Sequence, residues 1–248
     1  MTFNYPPSSY QYKKMTHCIM NILNSTINSN LKGKYKMIKI LTSGFPNGFT
    51  EDFNDVLKQY IKVGTNFVFV ASEFESIHDK TDWYCNNFLK MFSNCGITFG
   101  SVNVIDSRIP KEIAQDIVRN ADVLWLAGGD TPTQFAYIES YGLIPYIKEQ
   151  KGVIIGMSAG SINMAKTAVC TLTCEHSKLE IYEALGLVEF SVEPHFDKEN
   201  ISDELIILSE KYPLYGVCDD SAIIRTNDNT LFIGNVFLIN NRHITRLS

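Results

Sequence analysis

The chain has 248 residues, 45% hydrophobic and 20% charged with both signs spread along it, a composition that builds a globular core and excludes a disordered polymer. A formal charge of −5 with no basic patch in the main body argues against a nucleic-acid partner, and no apolar run approaches the roughly 18 residues that span a membrane. The six cysteines form no Cys-x-x-Cys pair, which argues against a metal site and fits reduced thiols in a cytoplasmic protein.

Residues 1–36 hold five lysines and no acidic residue, so the remainder carries 17 basic and 27 acidic residues. This stretch lacks the arginines and the apolar core of a targeting peptide. It reads as a disordered or loosely attached extension, with Met37 as an alternative start and a basic arm as the competing reading. From Met37 onward strand and helix signals alternate. Ile38–Leu41 reads as a buried strand, and Phe53, Val56, Leu57, Tyr60 and Ile61 follow at helical spacing. Thr65–Ala71 is β-branched and aromatic, a second strand. Tyr84, Phe88, Met91 and Phe92 mark a helix ending near Cys95-Gly96. Val102–Ile105 is a third strand, and Pro110 opens a helix with Ile113 and Ile117 on one face. Val123–Ala127 and Val153–Gly156 are the next strands. Val188–Val192 and Tyr215–Cys218 also read as strands, with a helix between them over Ile201–Leu208. Short strands at Ala222–Thr226, Leu231–Ile233 and Val236–Ile239 look like hairpins. The expected fold is a single α/β domain over 37–248, a mostly parallel sheet flanked by helices, with antiparallel hairpin strands at the C-terminal end.

Three turns carry chemistry. In Gly156-Met157-Ser158-Ala159-Gly160 a serine sits between an apolar strand and a helix signal, where its hydroxyl is exposed and the Ala159 amide faces it. Gly128-Gly129-Asp130-Thr131-Pro132 also follows a strand and precedes a helix. Its glycines leave an amide bare for a second oxyanion donor, and Asp130 or Thr131 can cap the helix. His195 in Glu193-Pro194-His195-Phe196-Asp197 is the one histidine of five that follows an apolar strand, and is the candidate base for Ser158. Four residues compete for the orienting acid. They are Asp219, at the end of an apolar strand; Asp197, on the same face as His195 if the strand continues; Glu175; and Asp220. Asp197 is also a candidate cap for the helix over Ile201–Leu208.

Gly128-Gly129-Asp130-Thr131, Gly156-Met157-Ser158-Ala159-Gly160, Pro194-His195-Phe196 and Gly216-Val217-Cys218-Asp219, in this order, resemble the dipeptidase E family. These are the α-aspartyl dipeptidases related to cyanophycinase, whose fold is similar to that of class I glutamine amidotransferases. The resemblance implies Ser158 as nucleophile, His195 as base and Asp219 in place of the family's glutamate, with Glu175 as a further relay candidate. It also implies Gly129 and Ala159 as oxyanion amides. The arginines that follow Pro-His-Phe in dipeptidase E are absent from Asp197–Glu204, so aspartyl specificity is not implied. Ordinary α/β-hydrolases run serine, acid, histidine, whereas here the acid Asp219 follows His195. The expected function is a serine peptidase or amidase acting on dipeptides or other small amides without metal or cofactor. Its partner is a small peptide, with no nucleic acid or membrane, and it works as a monomer or homodimer. The competing readings are a non-catalytic binding protein of the same fold and an esterase.

Overall fold

The computed structural model describes residues 37–172, 174 and 176–248. The stretch 1–36 and Glu175 lie outside the described residues. Those from Met37 on belong to one compact unit, Lys36–Ser248. Its first half alternates strand and helix: β1 (Ile38–Thr42), α1 (Glu51–Tyr60), β2 (Asn66–Val70), α2 (His78–Asn94), β3 (Ser101–Ile105), α3 (Lys111–Arg119), β4 (Val123–Leu126), α4 (Thr131–Ser140), α5 (Ile144–Lys148), β5 (Val153–Met157) and α6 (Ala159–Met164). The second half is mostly strand: β6 (Thr167–Cys170), β7 (Glu180–Glu183), β8 (Ser191–Pro194), α7 (Asp203–Leu208), β9 (Leu214–Val217), β10 (Ala222–Arg225), β11 (Thr230–Ile233), β12 (Val236–Asn240) and β13 (His243–Arg246).

The main sheet runs β11-β10-β1-β5-β4-β2-β3. Its last five strands are parallel, while β10 joins β1 and β11 antiparallel. Strand alternation divides the apolar runs between two cores, as it must when both faces are covered. Leu41, Val68, Leu124 and Ile154 pack with Ala114, Ile138 and Ile162 of the helices on one face. Ile40, Phe67, Trp125 and Ile155 pack with Phe53, Leu57, Phe88 and Phe92 of α1 and α2 on the other. The second core is largely aromatic. The Phe92 ring meets Phe49, Phe67, Phe99 and Trp125 at centroid distances of 5.1 to 5.9 Å. The α/β expectation therefore stands, with the C-terminal strands divided between two sheets. β10 and β11 extend the main one, and β8, β9, β12 and β13 form a second in the order β13-β12-β9-β8.

Three sequence expectations are corrected. The strand expected over Val188–Val192 is Ser191–Pro194. Val188 instead forms an isolated parallel bridge with Ala165, outside any strand. Helix α7 is capped by Ser202, whose hydroxyl accepts from the Leu205 amide at 3.1 Å, and not by Asp197, which lies too far upstream in the chain. Pro110 occupies the cap position before α3 and not its first turn. No described helix is long and apolar enough to cross a membrane.

Phe92 is fully buried among these rings. Phe92→Ala removes them from contact on every side, and the expected loss is about 3–5 kcal/mol of unfolding free energy, read from urea denaturation.

Candidate active site

Parallel pairing puts the C-terminal ends of β1, β4 and β5 side by side at one sheet edge, with Thr42 opposite Met157 and Leu126 opposite Gly156. The chain leaves β5 through Ser158, whose φ of 49° is in the left-handed region, and enters α6 at once. A non-glycine residue held there costs roughly 1–3 kcal/mol and persists only where its surroundings over-determine it. Here they do. The Ser158 amide donates to the Thr42 carbonyl at 3.0 Å, and its carbonyl accepts from the Ser161 and Ile162 amides. The buried Ser161 hydroxyl accepts from the Thr42 amide at 2.9 Å and lies 2.7 Å from the Thr42 and Gly156 carbonyls. Gly160 lets α6 sit directly on β4: a Cβ there would lie 2.2 Å from the Leu126 carbonyl oxygen.

His195 directly follows β8 and has a φ of 54°. Its neighbour Phe196 is buried in a third core with Leu214 and Phe237, which anchors the turn. The ring bridges two side chains. Nε2 lies 3.0 Å from Ser158 Oγ, and Nδ1 lies 2.8 Å from Asp219 Oδ1. Asp219 follows β9, the parallel neighbour of β8, which is why two separate segments deliver His195 and Asp219 to one place.

Of the other acid candidates, the two among the described residues, Asp197 and Asp220, make no hydrogen bond to the ring. Asp197 turns away because the left-handed His195 ends the strand alternation, and its Oδ1 accepts from the Glu199 amide at 3.0 Å. Asp220 carries a buried Oδ1 with no hydrogen-bond partner among the described residues. Of the turn residues, Gly129 has a φ of 149°, and a Cβ there would meet Ser72 Oγ at 2.3 Å. Asp130 caps α4, accepting from the Thr133 amide at 2.9 Å. The Gly129 and Ala159 amides have no acceptor among the described residues.

Two residues at the end of β1 join the site unannounced by any motif. The Ser43 hydroxyl lies 2.7 Å from Asp219 Oδ1 and 3.3 Å from His195 Nδ1, and it accepts from the His195 amide at 2.7 Å. The Gly44 amide donates to the same Asp219 oxygen at 2.9 Å. The signal available was only that Ser43-Gly44 follows a strand that ends at the edge carrying the other turns.

A family model, that of peptidase family S51, matches residues 40–233 and so spans Ser43, the serine turn, His195 and Asp219. The chain belongs to peptidase family S51. Among solved structures, a peptidase from an acI-B1 actinobacterium is similar with a TM-score of 0.66 at 18% identity, over 86% of this chain and 94% of that one. A candidate peptidase E protein from Listeria monocytogenes EGD-e is similar with a TM-score of 0.60 at 19% identity, over 80% of this chain and 98% of that one. Both share the fold. No match is found among the curated proteins.

In this S51 peptidase the electrostatics around His195 are uneven. Burial raises the Asp219 carboxyl, but the Ser43 hydroxyl, the charge of His195 and the Gly44 amide outweigh it and hold the carboxyl below its usual range. Glu193, two residues before His195, is the reverse case. It is fully buried, Oε1 accepts from the Thr171 hydroxyl at 2.6 Å, and Oε2 has no partner among the described residues. Burial pushes its carboxyl up to about 8; the Thr171 bond offsets this in part, and nearby Glu204 adds to it. Thr171 also accepts through its carbonyl from His176 Nδ1 at 3.1 Å, and His176 Nε2 lies 2.9 Å from the Thr131 hydroxyl beside the Gly129 turn. Thr171 and His176 thus link buried Glu193 to Thr131 beside the Gly129 turn.

This predicts a pH dependence of stability. Unfolded, the Glu193 carboxyl returns to about 4.3, so the folded protein binds more protons between there and its raised value. The stabilisation is complete below the unfolded value and is lost as pH rises through about 8. The melting temperature of the wild type is expected to fall between about pH 5 and pH 9. Glu193→Gln, which cannot ionise, should flatten that fall in a calorimetric pH series.

Proposed function

We infer that this S51 peptidase hydrolyses dipeptides or other small amides, with Ser158 as nucleophile, His195 as general base and Asp219 as orienting acid. The observation that carries the reading is the unbroken chain Ser158 Oγ, His195 Nε2, His195 Nδ1, Asp219 Oδ1, with links of 3.0 and 2.8 Å. Hydrogen-bond reach between nucleophile and base, and between base and orienter, is what serine acyl transfer requires.

In this reaction Ser158 Oγ attacks the amide carbon while His195 Nε2 takes its proton. The imidazolium, held by Asp219, then hands that proton to the departing amine, leaving an acyl ester on Ser158. Water enters, is deprotonated at the same nitrogen, and releases the acid. The Gly129 and Ala159 amides serve as donors to the oxyanion of each tetrahedral intermediate. The left-handed turn at Ser158 supports this reading, since a strained strand-to-helix elbow is the setting that exposes a serine nucleophile.

Substrate size follows from the space beside the base. A cavity of about 440 Å³ adjoins His195 and Asp219, with Phe196, Phe237, Lys198 and Arg246 in its walls. That volume suits a ligand of a few residues and not a folded protein. The segment after Phe196 brings Lys198 alone as a cation, already paired with Glu199 at 3.2 Å, so a dedicated aspartyl site is not part of the proposal.

A fluorophosphonate probe followed by peptide mass spectrometry is expected to label Ser158. Ser158→Ala should lower hydrolysis of the responsive members of a dipeptide library by at least about 1,000-fold. A folded wild type that takes no label at Ser158 and cleaves no member of dipeptide or ester libraries would sink the reading.

A further inference from the structure

We propose that Ser43 is a positioning residue for the His195–Asp219 pair, its hydroxyl fixing which nitrogen of the base faces Ser158. The proposal rests on the triad reading above and adds to it a residue at the end of β1 that is fully buried.

The argument is one of proton counting. A serine hydroxyl has one proton to give and two lone pairs to receive. The His195 amide donates into Ser43 Oγ at 2.7 Å, so one lone pair is used. Two neighbours remain, Asp219 Oδ1 at 2.7 Å and His195 Nδ1 at 3.3 Å. Asp219, held ionised, is an acceptor only, and so it takes the hydroxyl proton. Neither Ser43 nor Asp219 can then offer a proton to Nδ1. Nδ1 must itself be the protonated nitrogen, which leaves the Nε2 lone pair facing Ser158 Oγ. That is the tautomer a general base needs.

The same hydroxyl has two further effects. With the Gly44 amide and the His195 ring, it places three donors on one oxygen of Asp219, restraining the carboxylate. By receiving the His195 amide it also satisfies the backbone of a residue held at a φ of 54°. Loss of Ser43 thus frees both the acid and the base while leaving each chemically intact.

The test uses the full chain and a small fluorophosphonate, because phosphonylation rate reads Ser158 reactivity without a known substrate. Ser43→Ala and the near-isosteric Ser43→Cys are compared with wild type across pH, each with Ser158→Ala as background. Losing a hydrogen bond to a charged group is expected to lower the maximal labelling rate about 10- to 100-fold, with half-saturating probe concentration unchanged. The low-pH limb is expected to move to higher pH. A carboxylate short of one donor pulls harder on the imidazolium N–H and makes the ring more basic. The other titratable groups around the pair, Asp197, Lys198, Glu199, Cys218, Asp220 and Arg246, are common to all variants and offset every profile alike. Ser43→Thr, which keeps the hydroxyl, should label faster than either.

If Ser43→Ala or Ser43→Cys, shown folded by its melting curve, labels within twofold of wild type with the limb in place, the proposal is overturned. A threonine variant no faster than cysteine overturns it as well, since volume and not the hydroxyl would then be what matters. A folded wild type that takes no label overturns the triad reading and this proposal together. That outcome is distinguishable from a labelled wild type beside an unaffected Ser43→Ala, which removes the role of Ser43 alone.

Discussion

The site depends on the last turn of backbone after β1. Thr42, Ser43 and Gly44 together touch the strand-to-helix turn of Ser158, the backbone and ring of His195, and the carboxylate of Asp219. Each of the three side chains comes from a different segment, and only the His195 ring bonds directly to both of the others. Three consecutive residues of β1 and its exit therefore hold the geometry in common. The position of β1 in the sheet makes this workable. It lies between β5, which delivers Ser158, and β10, which begins just after Asp219.

Two left-handed residues, Ser158 and His195, face one another across this junction. Each costs free energy by itself, and each is fixed by a hydrogen bond to β1 or its exit: Ser158 N–H to Thr42, His195 N–H to Ser43. The strain is held by the end of a strand of the doubly covered sheet and the residue that follows it. This fits a site meant to meet its substrate with little rearrangement, since groups already in place cost no reorganisation when charge develops. The interior supports the same logic. Ser161 and Thr42 satisfy each other beneath the turn, so its buried polar atoms have defined partners.

Much of the scaffold was legible because its signals are local. The strands from β1 to β5 are apolar runs separated by helical spacing, and the serine and glycine turns sit where strand gives way to helix. His195 stood out by its place after a strand. What was hidden depends on long-range pairing. The resemblance points to Asp219, but the residues alone leave Asp197 open, because what keeps Asp197 from the ring is the backbone angle at His195, which ends the strand alternation. The division of C-terminal strands between two sheets depends on which partner each one finds, and short strands with similar composition carry no label for that. Ser43 follows Ile38–Thr42 as an ordinary loop serine, and only the juxtaposition of β1, β8 and β9 gives it neighbours.

The bond from Ser43 to Asp219 joins residues 176 positions apart. Such a contact closes a very long loop, and its entropy must be met before it returns anything, so contacts of this kind form late. A chain complete only through α6 holds Ser158 but contains neither His195 nor Asp219. The antiparallel arrival of β10 on β1 brings the last of the three into place. The order of elements along the polypeptide thus serves as a timer, withholding the assembled constellation until nearly the whole fold has been made.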